Sequence, residues 1–172
     1  MYLLDGRGTV SRGNEPNRSN TIDGCIDGNH GTYHEDESID KIVVRAGEID
    51  DTGSEVNMEA GRRATIMSTV YAYSDGSEDY ADFYFASDAY NPSWQYIGTL
   101  QPSQGGLQVL KIEYTLPEGV TQAVRINFRH LGDVNTCTQG TFDDRDDLIF
   151  SVVNPAPISS FLPSYSPTAS PS

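Results

Sequence analysis

Residues 123–130 read AVRINFRH, and from Val124 onward apolar and polar side chains alternate one by one. The apolar positions are Val124, Ile126 and Phe128, and the polar positions are Arg125, Asn127 and Arg129. Successive side chains of a β-strand point to opposite faces. The stretch therefore predicts a strand with one face in a core and the other face in water.

Six further short runs rich in β-branched and aromatic residues surround this strand. They read IDKIVVRA, RATIMSTVYAY, DYADFYFA, SWQYIGTL, LQVLKIEYTL and DLIFSVV. The segments between them, such as YSDGSED, DAYNPS, QPSQGG and LPEGVT, have the Gly, Pro, Asn and Asp content of turns between antiparallel strands. Short strands at this spacing predict an all-β fold, an antiparallel β-sandwich or jelly roll.

Composition and length agree with one such domain. The 172 residues include 10 Tyr and 16 Gly, and long runs of helix-forming residues are missing. A chain of this length most simply forms one core. We predict an irregular N-terminal lead over 1–21, a β-sandwich over 22–153 and a Pro/Ser-rich linker or tail over 154–172. That tail is typical of an O-glycosylated extracellular stalk, with a plain disordered tail as the alternative.

Charge and motifs exclude several classes of function. A formal net charge of −14 with only 11 Lys plus Arg disfavours nucleic acid as a partner. No apolar run approaches the roughly 18 residues that cross a bilayer, so membrane insertion is not expected. The sequence HEDES at His34 lacks the second histidine of a zinc-protease motif, and nucleotide-binding and serine-hydrolase motifs are missing. We therefore do not expect an enzyme.

One acidic phrase occurs twice. GTYHEDESID begins at Gly31 and GTFDDRDDLI begins at Gly140, with a cysteine ahead of each. Alternation places Asp144 and Asp146 on the same side as Leu148, and inward carboxylates without a partner are costly. Ca²⁺ suits such Gly-rich acidic loops because it takes six to eight oxygen ligands. A solvated acidic edge that discourages edge-to-edge pairing is the alternative.

The expected site follows from placing the two phrases in adjacent strands. Glu37, Asp144 and Asp146 are then expected to converge on one Ca²⁺, with Asp36 or Asp147 assisting. The same pairing would bring Cys25 and Cys137 together, which predicts a disulfide and an oxidising compartment. Two buried free thiols are the alternative.

Trp94 follows a Pro-containing turn in the run NPSWQYIGTL. An aromatic side chain in this position suits a sugar-stacking platform. Packing beneath the loop as a core anchor is the favoured interpretation.

The segment CTQGTFDDRDDLIFSV, preceded by VRINFRHLG, resembles the last strands of accessory β-sandwich domains on the C-terminal side of secreted proteases and other extracellular proteins. The opening CIDGNHGTYHEDESIDKIVV is similar to the first strand of such domains, so the resemblance spans about residues 22–153. It implies a galactose-binding-like or carbohydrate-binding jelly roll with a structural calcium. The Pro/Ser tail resembles those of algal cell-surface proteins.

Two hypotheses of function follow. The first is a secreted, calcium-stabilised, non-catalytic module at the cell surface that binds a glycan or an extracellular protein for a larger protein. The second is a self-assembling structural subunit of a cell wall, extracellular filament or adhesive matrix.

Overall fold

A computed structural model describes residues 21–47, 58–138 and 140–155. The expected lead over 1–21 and the expected tail over 154–172 fall almost wholly outside these ranges, so both stay predictions. Among the described residues, no helix is long and apolar enough to cross a membrane.

The described part of the chain has seven strands, and each overlaps one of the seven predicted runs. They are β1 (Ser38–Ala46), β2 (Arg63–Ala72), β3 (Asp79–Ala86), β4 (Gln95–Leu100), β5 (Gly106–Thr115), β6 (Thr121–His130) and β7 (Asp144–Ser151). One sheet has the order β1-β2-β5 and the other has the order β4-β3-β6-β7. Every strand pair is antiparallel. The prediction of an all-β fold built as an antiparallel β-sandwich is confirmed.

Alternation along the strands builds the core. In β2, every second residue from Ala64 to Ala72 is buried and the intervening residues are partly exposed. Large side chains from both sheets meet between them: Ile39, Val44, Ile66, Val70, Phe83, Ile126, Phe128 and Leu148. Burial of each such side chain stabilises the fold by about 1.5–3 kcal/mol.

The prediction that the polar face of β6 lies in water is wrong. Arg125, Asn127 and Arg129 are 1%, 0% and 5% exposed. β6 is a central strand, and residues 21–27 and 135–138 lie over its outer face. Arg125 donates to the carboxylate of Asp23 at 2.5 Å, and the Asn127 amide donates to the carbonyl of Asn135 at 3.0 Å. Both faces of β6 are therefore buried, one by the core and one by polar contacts.

Candidate functional site

The two acidic phrases meet across the sandwich and not within one sheet. β1 and β7 belong to different sheets, so the prediction of adjacent strands is wrong. The segments ahead of the strands still touch, because the amide of Gly28 donates to the carbonyl of Asp143 at 2.7 Å. The amide of Ile39 donates to the carboxylate of Asp144 at 2.5 Å. The predicted proximity of the phrases thus arises from a contact between the edges of two sheets.

Glu37, Asp79 and His130 form a cluster at this end of the sandwich, which we call the inter-sheet cluster. One potential ligand atom from each residue lies within 4.8 Å of the other two. His130 Nδ1 is 3.3 Å from Glu37 Oε1 and 3.5 Å from Asp79 Oδ1. The imidazole therefore faces two carboxylates at once.

Strand register explains why these three residues meet. Asp79 begins β3, His130 ends β6, and the two are directly paired. Asp79 has the alternation parity of the core residue Phe83, and His130 has that of Phe128, so both point between the sheets. Glu37 immediately precedes β1 in the other sheet and completes the cluster.

Burial sets the electrostatics of the cluster. Glu37 is 3% exposed, and its Oε2 atom has no hydrogen-bond partner among the residues that the structure describes. Burial, together with the carboxyl of Asp79, raises the pKa of Glu37 to about 8. An isolated buried carboxylate is costly. The cluster therefore favours either a shared proton or a bound cation.

Neighbouring groups hold the cluster in place. The second carboxylate oxygen of Asp79 accepts the amide of Tyr73 at 2.7 Å. The second imidazole nitrogen of His130 lies 3.7 Å from a carboxylate oxygen of the more exposed Glu78. The ring of Phe142 stands edge-on to the imidazole, with centroids 6.2 Å apart.

The predicted metal ligands have different surroundings. The Asp36 carboxylate accepts a hydrogen bond from the amide of Thr32 at 3.0 Å and so caps its own loop. Asp144 and Asp146 are buried with the inward parity of Leu148, as expected from alternation. Asp147 points to the opposite face, where it is paired with Arg125. Of the predicted set, Glu37 alone belongs to the inter-sheet cluster.

Asp79 and His130 were not predicted as site residues. No motif connects two residues separated by about 50 positions and four strands. The available signal was strand parity, because each residue continues the apolar face of its strand with a titratable group at the strand end. Such a group points toward the interior and needs a partner there.

A second notable surface lies on the outer side of the four-stranded sheet. We call it the aromatic face, and it consists of Tyr80, Tyr84, Trp94 and Tyr96. The rings of Tyr84 and Tyr96 are 5.6 Å apart. Arg125 lies over the Trp94 ring at 4.3 Å, and Arg129 lies over the Tyr80 ring at 4.8 Å.

Buried charge pairs support the aromatic face from below. Arg129 donates to Asp82 at 2.8 Å, and the Thr99 hydroxyl donates to the same carboxylate at 2.5 Å. The Tyr84 hydroxyl is buried and has no hydrogen-bond partner within the described ranges. Burial, with the Asp82 carboxylate, raises the pKa of Tyr84. The face therefore combines partly exposed aromatic rings with fixed charges and a buried hydroxyl beneath them.

Trp94 belongs to this face and not to the core. Its ring is partly exposed, and its indole N–H donates to the Asp23 carboxylate at 2.9 Å. The favoured interpretation as a core anchor is therefore wrong, although the side chain does contact the loop that carries Asp23.

The predicted disulfide between Cys25 and Cys137 is present, with Cα atoms 5.7 Å apart. It joins the N-terminal segment to the loop after β6, and both cover the outer face of β6 and β7. The same loop helps to form a cleft of about 240 Å³ whose lining includes Arg129, Cys137 and Asp143.

No protein-family profile matches this chain, and no curated protein matches it. Among solved structures, the C-terminal domain of wzt is similar, with 12% sequence identity and a TM-score of 0.49. The match covers 77% of this chain and 84% of that one.

Proposed function

We infer that this chain is a non-catalytic binding module of a larger extracellular or cell-surface protein, and that its ligand is a glycan held on the aromatic face. The observation that carries the proposal is the group of rings of this face that reach solvent, those of Tyr80, Trp94 and Tyr96, above buried, paired charges. Tyr96 is 51% exposed, whereas Asp82 and Arg129 beneath the same surface are 0% and 5% exposed.

Sugar rings present two kinds of surface to a protein. Their C–H faces pack on aromatic rings, and their hydroxyls need directed donors and acceptors. Trp94 and Tyr96 supply the first kind of contact, and the hydroxyl of the exposed Tyr96, which is paired with the Thr99 hydroxyl at 2.7 Å, supplies the second. Charged groups already fixed by their partners lose little conformational entropy on binding.

An extracellular location is supported by the disulfide, because disulfides persist mainly in oxidising compartments. The acidic composition with few Lys and Arg is also consistent with a neutral ligand. A neutral glycan avoids the repulsion that an acidic polymer would meet near a protein of net charge −14.

A glycan array followed by titration of the best ligand tests this function. The chain has a single tryptophan, so the fluorescence of Trp94 reports binding at the aromatic face directly. Tyr96→Ala should weaken binding by up to about tenfold, since a stacked aromatic group contributes about 0.5–1.5 kcal/mol. Leu107→Ala removes a comparably exposed side chain from the other sheet and should leave the affinity unchanged.

An array without any ligand would contradict the glycan proposal. Capture of a defined extracellular protein by the wild type, lost in Tyr96→Ala, would instead assign a protein ligand to the same face. Equal affinities of Tyr96→Ala and wild type for a glycan would exclude the aromatic face as its site.

Self-assembly into a wall or matrix is the second candidate. β5 is an edge strand that exposes Leu107 (55%) and Val109 (51%) on the outer side of the three-stranded sheet. Unpaired edges and exposed apolar side chains favour pairing with another chain. Light scattering that rises with concentration, and that a Val109→Lys change abolishes, would support this candidate over the first.

A further inference from the structure

We propose that the inter-sheet cluster is a binding site for one divalent cation that accepts imidazole, of which Zn²⁺ fits best, with Glu37, Asp79 and His130 as its three protein ligands. This goes beyond the glycan-binding function and concerns the opposite, inner side of the four-stranded sheet.

Ligand spacing supports a small ion. Zinc–nitrogen and zinc–oxygen bonds are about 2.0–2.2 Å long, so tetrahedral ligand atoms stand about 3.3–3.5 Å apart. Nδ1 of His130 lies 3.3 Å from Glu37 Oε1 and 3.5 Å from Asp79 Oδ1. The imidazole nitrogen therefore lies close to the required spacing from each carboxylate, and all three ligand atoms lie within 4.8 Å of one another.

Ligand chemistry separates zinc from the calcium predicted by the acidic phrases. Ca²⁺ takes six to eight oxygen ligands, whereas imidazole suits zinc and related transition metals. The cluster provides one nitrogen and two carboxylates. Three protein ligands leave a fourth position for water, as is common for zinc sites that remain open.

Buried atoms without a hydrogen-bond partner point to a ligand in this position. Nδ1 of His130 faces both carboxylates but makes no hydrogen bond to any described residue, and neither does Oε2 of Glu37, a residue that is more than nine-tenths buried. His130 is 26% exposed on its side chain, so it provides a route from solvent to the cluster. A divalent ion would neutralise the two carboxylates and remove the cost of the buried charge.

The surroundings of the cluster match those of a metal site. Metal-binding histidines commonly direct their second nitrogen at a carboxylate. Glu78 lies 3.7 Å from Nε2 of His130, and the amide of Tyr73 donates to the second oxygen of Asp79. Each contact orients one ligand from outside the cluster. Both cysteines are engaged in the disulfide and do not compete for the ion.

Calorimetric titration of the EDTA-treated protein with ZnCl₂ tests the proposal. One Zn²⁺ should bind per chain, and His130→Gln should remove this binding. His30→Gln makes the same change at an exposed histidine and should retain it. Glu78→Gln should weaken binding by about tenfold, as expected for a group that orients a ligand. CaCl₂ at the same concentration should neither bind at the cluster nor displace zinc.

Cobalt provides a readout on the wild-type chain, independent of how the variants fold. CoCl₂ should produce visible absorption bands of a four-coordinate site, and one equivalent of ZnCl₂ should abolish them. Absence of a one-to-one zinc site, unchanged zinc affinity in His130→Gln, or tighter binding of Ca²⁺ than of Zn²⁺ would overturn the proposal. None of these measurements involves a glycan, so failure here leaves the aromatic face untouched.

Discussion

Arg125 and Asp147 form a buried ion pair on the outer face of the four-stranded sheet, with each side chain 1% exposed. The guanidinium donates to both carboxylate oxygens, at 2.8 and 2.9 Å. The two residues are directly paired across β6 and β7. Asp23 provides a second, partly exposed carboxylate for the same guanidinium at 2.5 Å.

Removal of the Asp147 carboxylate should destabilise the protein strongly. Asp147→Ala leaves Arg125 buried with Asp23 as its remaining carboxylate partner. Breaking a buried pair costs about 3–5 kcal/mol, and we expect the lower end of this range because Asp23 remains. Urea denaturation monitored by circular dichroism measures the change.

A double variant is the control for this pair. Arg125→Met combined with Asp147→Leu removes both charges and should recover much of the lost stability, since apolar replacement of a buried pair is often neutral. If the loss of stability in the double variant equalled the sum of the losses in Arg125→Met and Asp147→Leu alone, the two side chains would not be coupled.

The environment of the Arg125–Asp147 pair could be predicted only in part from the sequence. Alternation in AVRINFRH correctly predicted a strand and its core side, because side chains alternate between the faces of any strand. Alternation could not show whether the polar side of the strand faces water or is covered by a loop of the same chain. That cover consists of segments remote in sequence, held by contacts such as the one from Arg125 to Asp23.

The same limit applies to the acidic phrases. Their repetition correctly indicated that residues near Glu37 and Asp144 approach each other. It also suggested neighbouring strands. That prediction was wrong, because similarity in sequence carries no information about which sheet a strand joins. Asp79 and His130 belong to the cluster because the register of β3 and β6 pairs them, and that register is defined only in the folded chain.

Reduction of the disulfide should lower stability substantially. Cys25 and Cys137 are 112 positions apart, and a loop of that length corresponds to about 4–5 kcal/mol in the chain-entropy account. Cys25→Ser with Cys137→Ser should lower the urea midpoint accordingly. An unchanged midpoint in the double variant would contradict this contribution of the disulfide to stability.

Stability without metal should depend on pH through Glu37. Its pKa is raised from an ordinary 4.5 to about 8, so the folded state holds this proton more tightly than the unfolded state. The associated stability is fully present below pH 4.5 and is lost as the pH rises through about 8. In EDTA, the melting temperature of the wild type should therefore fall across this interval because of this group.

Glu37→Gln carries a neutral amide at all pH values and should remove this part of the pH dependence. Glu35→Gln changes an exposed carboxylate of the same phrase and should retain it. Parallel melting profiles of the wild type and Glu37→Gln would contradict the raised pKa. The wild type and Glu37→Gln share every other titrating group, so the difference between their two profiles is the informative quantity.

Gly28 allows the close approach of the two acidic phrases, and its replacement should separate them. A Cβ atom at this position would lie 2.2 Å from the carbonyl oxygen of Thr141 and 2.8 Å from that of Gly140. These are backbone atoms, which cannot swing aside as a side chain does. The amide of Gly28 also donates to Asp143, so a shift of the segment weakens that bond. Gly28→Ala should therefore cost about 1–3 kcal/mol, as overpacking usually does.

Gly31→Ala is the matched control, because its added Cβ would meet only the Phe142 carbonyl oxygen at an ordinary 3.6 Å. Urea denaturation should show Gly31→Ala within about 0.5 kcal/mol of the wild type, and equal losses in the two variants would mean that the phrases do not depend on this contact.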